Sequence, residues 1–276
     1  MSFRKAIGGK INAGNKSGKI GYGAATGGKI RRWAGTIPTA YWRVNGIAAS
    51  STTLPDASKA GLGLDGTLGG TVDTEGADAT WNTTTTAPGS YQSLRLNGVD
   101  NKVVVPYNAA LKPSNTTLSI AMWINTDSSN KYLLSAEGDD AAGPAGWVYC
   151  GVGVNPGGRA EVYWNNTGAG WKSSTTVVND SNWHHLVYVY DSSATNEIRS
   201  YVDGVLEVEN GSQSGNFTLN DVSILIGYRL VGGAKYYRYY LDEIAYWTDV
   251  ALTEKQVQSL YNEGKTLNSY AGIQRA

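Results

Sequence analysis

From residue 90 to residue 248, short runs of apolar and aromatic residues recur at close intervals, and turn-forming residues separate them. The runs are SYQSLRL (90–96), KVVVP (102–106), TLSIAMWIN (117–125), KYLLSAE (131–137), GWVYCGVGV (146–154), RAEVYWN (159–165), HHLVYVYD (184–191), IRSYVDG (198–204), VSILIGY (222–228) and an aromatic stretch from 235. Strands of this length joined by turns predict an antiparallel sandwich. In TLSIAMWIN a period of two places Leu118, Ile120, Met122 and Ile124 on one face, which belongs in the core. HLVYVY is apolar or aromatic on both faces, the pattern of a central strand covered on both sides. AYWRVNG, from Ala40, reads as an earlier strand, and the Ser-, Thr- and Gly-rich stretch 50–89 reads as long loops and edge elements.

The aromatic stretch YYRYYLDEIAYW leads into a helix, LTEKQVQSLYNEG. Thr253 with Gln256 three residues on forms a capping box, and Gly264 is the expected stop. Val257, Leu260 and Tyr261 share a helical face, which predicts that the helix covers part of the sandwich.

With 276 residues the chain suits one large β domain plus appendages. Cys150 is the sole cysteine, so an intrachain disulfide and a cysteine zinc cluster are both excluded. Signal-peptide and membrane-span patterns are both missing, so release with a virus particle is one expected route out of a cell. Net charge is zero, yet residues 1–32 hold eight cations and no acid, leaving the remainder at −8. Within this arm Gly-Lys-Ile recurs at Gly9, Gly18 and Gly28. The units are too short to bury a core, so the arm reads either as a flexible leader or as a segment that orders in a groove of an assembly. Its expected anchors are Lys10, Ile11, Lys19, Ile20, Lys29, Ile30, Arg31 and Arg32.

Seven segments in order resemble the concanavalin A-like lectin/glucanase superfamily, in its laminin-G-like and pentraxin-like branch. They are 55–58 through 65–68, LRLNGVDNKVVVP (94–106), LSIAMWIN (118–125), NWHHLVYVYD (182–191), SYVDGVL (200–206), ILIGY (224–228) and LDEIAYW with LTEKQVQSLYN (241–262). The resemblance implies an all-β jelly-roll β-sandwich of two antiparallel sheets with one short C-terminal helix and an extended N-terminal arm. The expected division is arm 1–39, sandwich 40–264 and tail 265–276. It also implies a non-enzymatic role in binding or adhesion. Some members of the superfamily bind calcium, and here Asp139 and Asp140 match half of that pattern while Tyr228, Arg229, Leu230 and Val231 replace the other half. Calcium needs six to eight oxygens, so a solvated acidic turn is the competing reading. Asp100 and Asp242 read as structural turn or interstrand groups.

Enzyme chemistry finds little support. A retaining glycosidase needs two carboxylates about 5 Å apart on one face, and Asp242 and Glu243, being adjacent, would point to opposite faces of a strand. No catalytic residue is assigned. Gly61 to Gly66 matches a dinucleotide fingerprint in letters, but no strand precedes it and no helix follows. A phosphate-loop mimic at 23–29 has Ile30 where a magnesium-binding hydroxyl is needed. His184 and His185 are expected to face opposite sides and to be structural, and Cys150 to be a buried small hydrophobe.

Candidate ligand contacts are Trp164, Trp171, Tyr237, Arg238 and Tyr239, although such aromatics equally suit a core or a subunit interface. Together these features predict a virion structural protein, a capsid decoration, spike or fibre component tied to other virion proteins by its arm, with self-assembly into a homo-oligomer expected. A carbohydrate-binding adhesin or receptor-binding module, meeting a cell-surface glycan, is the alternative, and a glycoside hydrolase comes next. Nucleic acid is a weaker fit, because the arm has few stacking groups. No cofactor is expected, calcium aside.

Overall fold

The strand pattern folds as two stacked antiparallel sheets in a computed structural model that describes residues 37–48, 50–58, 61–69, 80–113, 117–137, 150–164, 171–195, 197–210, 222–229 and 235–270. The strands are β1 (Ala40–Trp42), β2 (Thr53–Leu54), β3 (Gly66–Gly69), β4 (Thr80–Asn82), β5 (Ser93–Asn97), β6 (Lys102–Val105), β7 (Thr117–Asn125), β8 (Lys131–Glu137) and β9 (Cys150–Val154). They continue with β10 (Arg159–Trp164), β11 (Lys172–Val177), β12 (Trp183–Asp191), β13 (Ile198–Val202), β14 (Val205–Asn210), β15 (Ser223–Ile226), β16 (Tyr228–Arg229), β17 (Lys235–Tyr236) and β18 (Arg238–Thr248). One α-helix, α1, spans Glu254–Tyr270.

The first sheet runs β14-β13-β12-β7-β18-β5-β4, with β1 also paired to β18. The second runs β11-β10-β9-β8-β15-β6-β3-β2, and β16 with β17 makes a separate two-stranded ribbon. The chain thus crosses between layers several times, with β8 to β11 a consecutive run in the second sheet and β12 to β14 one in the first, and the expected jelly-roll sandwich is what forms. The period of two decides which side chains meet between the layers. Leu118, Ile120, Met122 and Ile124 of β7 lie in the core with Leu186, Tyr188 and Tyr190 of β12, facing Val103, Val105, Leu134, Val152 and Val162.

On the far side of the first sheet, Ala121, Val187, Val189, Ala245 and Trp247 would be exposed without a cover, and α1 supplies it through Val257 and Leu260, with Leu252 just before the helix. Burying Val257 completely contributes about 1.5–3 kcal/mol to this docking. Tyr261 stacks on Trp123 at 5.9 Å and on His185 at 6.1 Å. The capping box forms as expected: the Thr253 amide donates to Gln256 Oε1 at 2.8 Å, and the Gln256 amide donates back to Thr253 Oγ1 at 3.4 Å. Gly264 does not stop the helix, which runs through it to Tyr270. A helix tolerates an interior glycine at a cost of about 1 kcal/mol.

Two strands escape the sequence pattern. β11, KSSTTV, is polar because it is an edge strand with few apolar positions. β14 follows a two-residue turn in which Asp203 and Gly204 both have positive φ, 53° and 80°, the backbone a tight hairpin demands. The two missed strands form adjoining edges of the two layers. Glu207 of β14 accepts from the Thr175 and Thr176 amides at 2.7 and 3.1 Å and from both threonine hydroxyls. Burial would raise its pKa, but these four bonds outweigh it and hold the carboxyl below its usual range.

Other expectations resolve locally. Cys150 is fully buried, and burial pushes its thiol up to about 12, so it packs as a hydrophobe. The glycine fingerprint at 61–66 feeds strand β3, not a helix. Among the described residues no helix is long and apolar enough to cross a membrane. The arm anchors Lys10, Ile11, Lys19, Ile20, Lys29, Ile30, Arg31 and Arg32 lie outside the described residues, as do Asp139 and Asp140.

Candidate functional site

Because α1 occupies the outer side of the first sheet, the outer side of the second is, among the described residues, the broad sheet face left for a ligand. Alternation aims Glu161 and Tyr163 of β10 away from the core, since Ala160 and Val162 point into it. In the ladder Glu161 sits opposite Gly153, which sits opposite Tyr132; Tyr163 sits opposite Gly151, which sits opposite Ser135. The strand between the two walls therefore contributes only glycines to this face. Walls two strands apart are separated by about 10 Å.

Trp171, just before β11, bridges that gap. Its ring lies 4.8 Å from Tyr163 on one wall and 5.5 Å from Tyr132 on the other. It could not reach both across bulky β9 side chains. A Cβ built on Gly153 would also come within 2.5 Å of the Lys131 carbonyl oxygen, a backbone atom that cannot move aside cheaply. Gly153→Ala is accordingly expected to destabilise the fold by about 1–3 kcal/mol in urea unfolding; an unchanged midpoint would contradict the tight ladder at this bulge.

The β16–β17 ribbon adds the charge. Gly227 leads β15 into β16, and the Ser135 hydroxyl donates to the Tyr228 carbonyl at 2.8 Å, so the ribbon is tied down on β8. Arg229 stacks its guanidinium 4.6 Å from the Tyr132 ring centre and 5.4 Å from that of Trp171, and its Nη1 donates to the Tyr132 hydroxyl. Lys235 lies 5.5 Å over the same Tyr132 ring and donates to Asn130 Oδ1 at 2.7 Å. Nearby, Tyr228 and Tyr236 pack at 4.6 Å, with Lys102 over Tyr228 at 4.9 Å.

Glu161 is only 9% exposed within this group. Burial raises its carboxyl to about 7, and Lys235 and then Arg229 partly oppose the rise. The result is a partly exposed indole flanked by two phenols, two held cations and one carboxyl that changes charge near neutrality. Such a surface can stack against an apolar ring face while offering donors and an acceptor to polar substituents. Among the described residues of this face Glu161 has no second carboxylate beside it, so the paired-acid geometry of glycoside cleavage is not assembled there. Among the described residues no group of three His, Cys, Asp or Glu side chains is arranged to hold a metal.

Of the sequence candidates, Trp171 belongs to this face. Tyr237 does not: it is completely buried, and its hydroxyl donates to the Asn125 carbonyl at 3.0 Å, so it serves the core. Arg238 is exposed at the start of β18, in the other sheet, against Gly98. The backbones of Trp164 and Tyr239 lie in β10 and β18, and their side chains fall outside the description. Tyr132, Glu161, Tyr163, Arg229 and Lys235 were not anticipated. The alternating glycines in CGVGV and the spacing of Glu161 and Tyr163 were the available signals.

The adjacent pair Asp242 and Glu243 departs from expectation. A register shift interrupts β18 between Asp242 and Ala245, and Glu243 has φ 52°, so simple alternation between faces does not apply. Both carboxylates are buried with internal partners. Glu243 accepts from the Tyr41 hydroxyl and from Asn45 Nδ2 at 3.3 Å, and Asp242 Oδ1 accepts from the Glu243 amide at 2.7 Å. Asp100 accepts from Asn97 Nδ2 at 2.8 Å within a turn, the structural role expected of it.

The histidines do diverge. His185 packs on Trp123 at 5.0 Å. His184 places Nδ1 2.9 Å from Asp203 Oδ2 and Nε2 3.1 Å from Asp180 Oδ1. Desolvation lowers its pKa, but the bonds and charges of Asp203 and then Asp180 outweigh it and raise the imidazole above its usual value.

Comparison with known proteins places this fold among relatives. A protein-family model, Laminin_G_3, described as concanavalin A-like lectin/glucanases superfamily, matches residues 97–258. No curated protein sequence matches the chain. Among solved structures, domain 4 of an extracellular GH43 arabinanase from Geobacillus stearothermophilus, in complex with arabinotriose, is similar at TM-score 0.56 and 18% identity, over 82% of this chain and 98% of that one. A Trypanosoma rangeli sialidase is similar at TM-score 0.57 and 15% identity, over 83% of this chain and 33% of the sialidase. The botulinum neurotoxin serotype D binding domain is similar at TM-score 0.56 and 11% identity, over 84% of this chain and 53% of that domain. The chain thus spans nearly all of the arabinanase domain, but only a third of the sialidase and half of the neurotoxin domain.

Proposed function

Since the chain belongs to the Laminin_G_3 family of the concanavalin A-like lectin/glucanases superfamily, we propose that it is a non-enzymatic saccharide-binding protein whose contact surface is the outer face of the second sheet. The observation that carries this reading is the indole of Trp171, held across a glycine floor between Tyr132 and Tyr163 and left partly exposed. A flat aromatic face at the surface suits the apolar face of a sugar ring, and Glu161, Arg229 and Lys235 suit its hydroxyls. The arabinanase domain of similar fold, solved in complex with arabinotriose, lends support. A glycan array with the full chain tests the proposal. Binding to at least one saccharide class is expected, and silence across a broad array would reject it. Incubation with the bound saccharide should leave it uncleaved.

A second reading rests on the split of charge between a +8 arm and a −8 remainder. It makes the saccharide-binding body a displayed part of a larger particle, such as a virion decoration, spike or fibre, tethered by the Gly-Lys-Ile units. Deleting residues 1–33 is expected to leave the melting temperature of the body unchanged while abolishing its attachment to the source particle. Attachment that survives the deletion would reject the tether.

A further inference from the structure

Arg229 and Lys235 of the open face differ from Arg43 and Arg199 of the body. Arg43 and Arg199 lie near carboxylates, Glu243 at 3.9 Å and Asp191 at 4.0 Å. Arg229 instead donates to a phenol hydroxyl and stacks on two rings, and its buried Nε has no acceptor among the described residues. Lys235 donates to a carboxamide and lies over a ring. Neutral partners fix the positions of both side chains without cancelling their charge. From this arrangement we infer that the face selects saccharides bearing an acidic group, carboxylate or sulfate, over their neutral counterparts, with Lys235 and Arg229 receiving the anion beside Trp171. The body as a whole is −8, so this local positive field runs against its average. Glu161 works in the other direction, but burial holds its carboxyl near 7, which removes about half of its opposing charge at neutral pH.

This inference rests on the saccharide-binding reading, and the test separates the two. Calorimetric titration of the full chain would use matched pairs: tri-galacturonate and its methyl ester, sialyllactose and lactose, and a sulfated and an unsulfated galactan oligomer. At pH 7 and low salt, the acidic member of at least one pair is expected to bind ten-fold or more tightly, with the gap shrinking as salt is added. Lys235→Gln should close most of that gap by weakening the acidic member far more than the neutral one, whereas Glu161→Gln should widen it. Comparison of the carboxylated and sulfated pairs identifies which anion is received. Equal binding of acidic and neutral members overturns the inference while sparing the reading beneath it. An acid preference unaltered in both variants overturns it too, because the basic arm would then be its source. Failure of all six ligands to bind would overturn the inference, and silence across the broad glycan array as well would defeat the reading beneath it.

Discussion

Replacing Trp171 with Ala is expected to weaken saccharide binding by about thirty-fold or more, because removing a central aromatic contact typically costs about 2 kcal/mol or more. The ring is the piece that joins the Tyr163 and Tyr132 walls, so its loss opens the glycine strand to water and leaves Arg229 with one ring instead of two. Trp171→Phe retains an aromatic face and should lose less than ten-fold. Titration calorimetry measures both, with circular dichroism as the control for folding. Affinity within two-fold of the parent for Trp171→Ala in a folded protein would remove this face from the binding site. The variant should melt close to the parent, since the ring is partly exposed and lies outside the sandwich core.

Asp203→Asn is expected to lower stability by about 2 kcal/mol near pH 5–6, the usual loss when a hydrogen bond to a charged group is removed. Asp203 accepts from His184 Nδ1 at 2.9 Å and from the His185 amide at 2.9 Å, and it sits in the β13–β14 turn. Both ring nitrogens of His184 face carboxylates, an arrangement satisfied only by the imidazolium. The pH dependence follows from linkage. His184 is raised above 6.5, so its contribution is complete below 6.5 and fades as pH rises through the folded value. Burial would raise Asp203, but the His184 bond, the His185 amide and the imidazolium charge lower it below 3.8, so its contribution is present above 3.8 and fades as pH falls through the folded value. The difference between parent and variant should therefore peak between pH 3.8 and 6.5 and shrink on either side. Urea unfolding from pH 3 to 9 gives the profile. A difference that stays flat across this range would mean that the cluster does not hold the turn electrostatically.

Much of the architecture was legible because its signals are local. β7 spans 117–125, the segment its alternation marks out, and the cover of α1 over Val187, Val189 and Trp247 follows from a stripe of three residues. β11 escaped because an edge strand buries little and so needs no apolar period. β14 escaped although Asp203-Gly204 is a recognised hairpin signal. The site was harder. Trp171 and Tyr237 looked alike as aromatic candidates, yet one lies at the surface and the other in the core. Their difference is one of sidedness, which the run YYRYY cannot convey, since it puts Tyr237 and Tyr239 on one face and Tyr236 and Tyr240 on the other.

What the chain determined unaided is the layered architecture and its helical cover, because the burial of alternate side chains is enforced residue by residue along each strand. Only the tertiary structure decided where a ligand would meet it. Tyr132, Glu161, Tyr163, Trp171, Arg229 and Lys235 come from β8, β10, the approach to β11, β16 and β17, over a hundred positions apart at the extremes. Ladder register and the seating of the β16–β17 ribbon bring them together, and those depend on how distant strands pair, a long-range choice that no local period encodes.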